Sequence, residues 1–90
     1  KLSWTTVDEV RNRTKQAVKK NRILLFHWRG GYLTKEVLKE LLVVFDEEAG
    51  VKGKQAYVSV NWPQAVIRVR FEDGAGEEQV EMAEANEGER

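Results

Sequence analysis

Four consecutive apolar residues, Ile23-Leu24-Leu25-Phe26, set the tightest limit on what this chain can fold into. Successive side chains of a strand point to opposite faces, so a strand that is apolar at every position needs cover on both. A bilayer-spanning helix would need about 20 apolar residues, so the run excludes that alternative. Arg22 precedes it, and Gly30-Gly31 follow soon after Trp28. Residues 22–28 are therefore expected to form the central strand of a layered α/β sheet.

The flanking segments read as helices. Val7, Val10, Thr14, Ala17 and Val18 recur at three- and four-residue steps, with Thr6 and Glu9 spaced as a capping box. After the glycine pair, Thr34 is placed to cap a second helix whose apolar stripe is Val37, Leu38, Leu41, Leu42, Val44, Phe45 and Ala49. Gly50 is the expected left-handed C-cap, with Val51 as the apolar contact beyond it. Residues 56–60 and 66–71 read as strands, the second alternating with Ile67, Val69 and Phe71 inward and Arg68 and Arg70 outward. Asn61-Trp62-Pro63-Gln64 joins them. Pro63 disfavours a type I turn centred on Trp62-Pro63 and leaves a longer connection or a cis bond. Leu2 to Thr5 reads either as a short strand or as a lead-in.

The expected fold class is α/β, of the α+β two-layer kind, in the order (β)αβαββ. Two helices would cover one face of a three- or four-stranded mixed sheet. The crossover from residues 22–28 to residues 56–60 should be right-handed and leave those strands parallel. Asp73-Gly74-Ala75-Gly76 interrupts the pattern, and the Glu-, Ala- and Gly-rich remainder reads as a flexible, disordered acidic tail. The expected division is thus a single domain over 1–73 and a tail over 74–90. About seventy residues lie near the lower limit for a self-sufficient core.

Charge is sorted along the chain. Residues 1–35 carry nine Lys/Arg against Asp8 and Glu9, while residues 72–90 carry eight acids against Arg90, so a formal net charge of zero hides +7 at one end and −7 at the other. Arg11, Arg13, Lys15, Lys19 and Lys20 lie on the first helix, with Arg22 and Arg29 nearby, and no acid falls between residues 10 and 35. Clustered cations with no carboxylate among them suit a nucleic-acid backbone, which rewards them through counterion release. The same residues also suit a solvated helix face or an acidic protein partner. Tyr57, Trp62, Arg68 and Arg70 gather on or beside the hairpin and read as a second contact surface, because aromatics and arginines carry interface energy.

The stretch Gly30-Gly31-Tyr32-Leu33-Thr34, running into the helix that holds Glu36, Val37, Leu38 and Leu41, is similar to the strand–Gly–Leu-Thr–helix segment of the ribosome-associated CRM domains. A basic helix precedes that segment in both. The resemblance covers about thirty residues and implies RNA binding. It ends at the hairpin, where CRM domains insert another helix and this chain has a short turn.

Chemistry that makes or breaks bonds finds little support. Absence of Cys removes thiolate metal sites and a Cys nucleophile, and His27 is the sole histidine, expected as a core or edge residue with one nitrogen satisfied. Asp46, Glu47 and Glu48 are consecutive on a helix and diverge, so they do not make a carboxylate site. The glycine pair lacks the spacing of a phosphate-binding loop and reads as a tight turn with Trp28 or Tyr32 packed over the core edge. No cofactor is expected. The leading expectation is a non-catalytic RNA-binding or ribonucleoprotein-binding module working through the basic helix. Its alternative is a protein-interaction or self-associating module using the open sheet face. No membrane partner is expected. The compartment is unassigned, with a soluble intracellular chain as the expectation, and a start at Lys1 rather than Met suits a processed or excised piece.

Overall fold

The computed structural model describes residues 2–29 and 33–82. The element order is α1 (Trp4–Lys20), β1 (Ile23–Trp28), α2 (Lys35–Val51), β2 (Ala56–Asn61), β3 (Val66–Phe71) and β4 (Glu77–Met82). Two helices lie over one four-stranded mixed sheet, so the expected two-layer class holds. The glycine pair and Tyr32, and with them the tight turn expected there, lie outside the described residues.

Helix α1 begins earlier than the Thr6–Glu9 pattern suggests. Ser3 is the N-cap, its side-chain oxygen accepting from the Thr6 N–H at 3.2 Å. A hydroxyl in that position satisfies one of the orphaned first-turn donors. Leu2 to Thr5 therefore serves as cap and first turn rather than as a strand. The helix closes on Asn21 in the left-handed region, at φ 57°. Thr34 caps α2 as expected, accepting from the Val37 N–H at 3.1 Å. The expected cap at Gly50 is displaced: the helix continues through Val51, and Gly53 takes the positive φ of 68°. The Trp62–Pro63 bond is trans.

The sheet order is β2-β3-β1-β4, with β3 antiparallel to both β1 and β2 and β4 parallel to β1. Strands β1 and β2 run in the same direction but are not neighbours, because β3 is inserted between them. The inward side chains of β3, Ile67, Val69 and Phe71, are fully buried, whereas those of β2 are only half-buried. The more apolar strand takes the interior position, where burial of its side chains is worth more.

The domain boundary at residue 73 is corrected. Glu77–Met82 forms β4, and Val80 and Met82 enter the core. Its glutamates disguise it: Glu77, Gln79 and Glu81 alternate with Glu78, Val80 and Met82, so only two of six side chains are apolar and inward. Backbone bonds from Ile23 N–H to the Gly76 carbonyl and from Arg29 N–H to the Met82 carbonyl bracket the pairing. The remaining eight residues of the expected tail lie outside the described residues.

The core fills the space between helices and sheet. Leu24, Phe26 and Trp28 of β1 face it, and Phe26 stacks on Phe45 of α2 with ring centroids 5.5 Å apart. Trp28 is buried and packs on the core, one of the two alternatives, Trp28 or Tyr32, expected there. The opposite face of the sheet carries no layer among the described residues. A chain ending at Asp73 loses Val80 and Met82 from the core and strips one edge of β1, so it is expected to lose the cooperative thermal transition of the full chain in circular dichroism. Equal, cooperative melting of the two would restore the boundary at residue 73.

Candidate functional site

The seven cations expected to meet a nucleic acid do not share one fate. Arg11 reaches across to α2, its Nη1 donating to Glu48 Oε2 at 2.7 Å and its Nη2 to Glu47 Oε1 at 3.0 Å. The Glu48 side chain is only 9% exposed, so this contact is partly desolvated. The hydrogen bonds to Glu48 and then to Glu47 raise the Arg11 pKa above its ordinary value. The sign follows: this stabilisation is present throughout the neutral range and fades only as pH rises past the ordinary arginine value. Arg13 lies 3.8 Å from Glu78, and Arg22 Nε lies 3.6 Å from the same carboxylate. Arg29 Nη1 donates to Glu81 Oε1 at 2.7 Å.

Arg11 and Arg29 are thus paired with the protein's own acids, and Arg13 and Arg22 share a third, Glu78. Local spacing concealed this. No acid falls between residues 10 and 35, yet α2 and β4 deliver Glu47, Glu48, Glu78 and Glu81 from far along the chain. The exposed pairs of Arg13, Arg22 and Arg29 add only about 0–1 kcal/mol each to stability. Their larger effect is to cancel the positive field that would attract a polyanion.

Lys15, Lys19 and Lys20 stay exposed on α1, in no ion pair among the described residues. Lys15, Lys19 and Lys52 border an open cavity of about 480 Å³ that also touches Val18, Glu48 and Val51. The last turns of both helices converge there. Their carbonyl ends carry partial negative charge, which offsets the lysines. Lys54 acts in this way, its Nζ donating to the Val18 carbonyl at 3.2 Å.

The second surface is the bare face of the sheet. Register places Tyr57 beside Arg70, Arg68 between Ser59 and Leu25, and Val66 between Asn61 and His27. The Arg70 guanidinium sits over the Tyr57 ring, 4.6 Å from its centroid. Arg68 is exposed and lies 4.0 Å from Glu77. His27 is half-buried on the central strand β1 and bonded through Nε2 to the Gln79 side chain, so one nitrogen is satisfied as expected. Trp62 stands at the end of the hairpin, 46% exposed, and Tyr57 is 43% exposed. Sequence patterning did not single out Trp4, which opens α1 and is 76% exposed, and Val51, expected as the apolar contact beyond a Gly50 cap, instead ends α2 exposed beside the lysine cavity. Trp4 looked like part of a lead-in until Ser3 proved to be the cap.

Among the described residues, no group of three or more His, Asp or Glu is placed to hold a metal ion, and no helix is long and apolar enough to cross a membrane. No family model, curated protein or solved structure matches this chain. The likeness to CRM domains therefore rests on its short stretch of residues alone. Arg11→Ala leaves the Glu48 carboxylate without its partner and is expected to destabilise the fold by about 1–3 kcal/mol in urea unfolding. Arg13→Ala, which breaks a long exposed pair, is expected to cost less than about 0.5 kcal/mol.

Proposed function

We propose that this chain is a non-catalytic binding module that recognises a protein through the open face of its sheet. The observation that carries this reading is the bare face itself. It presents Tyr57 under the Arg70 guanidinium, exposed Arg68 and half-buried Leu25 and Val66, with Trp62 at its rim. Aromatic and arginine side chains on an apolar floor are the groups that dominate protein interfaces. Internal pairing of four of the seven early cations speaks against a polyanion as the main partner, since those charges are already compensated.

A second reading keeps an RNA or an RNA–protein assembly as the partner. It is favoured by one observation, the exposed trio Lys15, Lys19 and Lys20 with Lys52 close to two of them.

Two measurements decide between these readings. Peptides selected from a random display library against the full chain are expected to lose affinity about tenfold or more with Arg68→Glu or Tyr57→Ala. They are expected to bind the Lys15→Gln/Lys19→Gln/Lys20→Gln triple variant as they bind the wild type. Labelled single-stranded and duplex RNA, titrated at two salt concentrations, should show no steep salt dependence. Tight RNA binding with a steep salt slope that the triple variant flattens would overturn the protein-binding reading.

A further inference from the structure

The two edges of the sheet are chemically unlike. Strand β4 carries Glu77, Glu78 and Glu81. Charges of one sign on an edge repel another copy of the same edge, a common guard against strand pairing. Strand β2 reads Ala-Tyr-Val-Ser-Val-Asn, with no charge and no proline over its whole length. The nearest lysine, Lys54, is drawn away to the end of α1, and Arg70 is held over Tyr57. This edge is unguarded.

Hydrogen bonding fixes which groups it offers. The Glu72 N–H donates to the Gln55 carbonyl, so Gln55 points its backbone groups at β3. In an antiparallel pair that orientation alternates, so Tyr57, Ser59 and Asn61 face β3 as well. Ala56, Val58 and Val60 therefore turn their N–H and C=O groups outward.

We propose that β2 pairs with β2 of a second copy of this chain, antiparallel and two-fold symmetric about Val58, joining the two sheets into one. This goes beyond the open-face reading: it uses the free edge of β2, and the partner there is a second copy of the chain. The register matches every outward group: Val58 exchanges both bonds with the second copy's Val58, and Ala56 does so with its Val60. On the helix face the opposed side chains are all apolar. On the open face Tyr57 meets the second copy's Ser59. A two-fold interface is self-complementary, so each residue must tolerate its symmetry partner. A neutral strand meets that condition, and the acidic β4 edge does not.

Proline tests the geometry directly. Val58→Pro removes an outward N–H and spares the bonds to β3, a substitution that edge strands accept. Sedimentation of the full chain over a wide concentration range is expected to show a monomer–dimer equilibrium. Val58→Pro is expected to raise the dimer dissociation constant at least about tenfold, with the circular dichroism melt showing that the fold persists. Should that variant not fold, Ser59→Lys, whose side chain lies on the exposed face, is expected to weaken the dimer to a similar degree. Arg68→Glu, away from the edge, should leave it intact. A chain that is monomeric at every concentration, or a dimer indifferent to a folded Val58→Pro or to Ser59→Lys, would overturn the pairing. A monomer that still binds selected peptides through Arg68 would sink the pairing and leave the protein-binding reading standing.

Discussion

Everything in this fold is referred to β1. Its backbone bonds to β3 on one side and β4 on the other, and Leu24, Phe26 and Trp28 form the floor on which the helices pack. A strand in that position must be apolar on the covered face and adequate on the other. Ile23 and Leu25 serve the second face, partly sheltered by the long side chains beside them. The parallel β1–β4 pairing has an electrostatic consequence as well. It brings Glu78 and Glu81 beside arginines that precede them by more than fifty positions.

That consequence changes how the charge asymmetry is understood. Read along the chain, +7 at the front and −7 at the back describe a dipolar molecule seeking a partner. In the folded chain Glu77, Glu78 and Glu81 lie in the sheet, and part of the attraction is spent internally. The cations left over are lysines near helix ends, where the backbone itself supplies a compensating dipole. Among the described residues, the sheet's open face and the β2 edge are left without cover, and they hold the Tyr57–Arg70 stack and an uncharged strand.

The parts of this arrangement legible in the sequence were those written in local periodicity. Helices α1 and α2 and strands β1 and β3 follow from apolar spacing, and the inward set Ile67, Val69 and Phe71 falls where alternation put it. Strand β4 was hidden because its pattern has only Val80 and Met82 to announce it among three glutamates. An edge strand needs little apolar character, so composition could not separate it from a solvated tail. The ion pairs were illegible for a related reason. A helix tells which residues lie three or four apart, but nothing about an acid delivered by another element. Of the candidate surfaces, Tyr57, Arg68 and Arg70 fall together on one face as hairpin alternation implied, whereas the early cations divide between internal pairs and a free lysine trio.

Amide hydrogen exchange on the full chain, read residue by residue by NMR, probes this account most directly. Bonds at Ile23 and Arg29 imply that the Leu25 and His27 N–H groups also donate to β4, since bonding direction alternates along a strand. The account predicts that these two amides exchange only by global unfolding, as slowly as those of Leu24 and Phe26 directed at β3. Exchange of Leu25 and His27 orders of magnitude faster than their neighbours would mean that Glu77–Met82 does not hold its place. The internal neutralisation of Arg13, Arg22 and Arg29 would then fall with it.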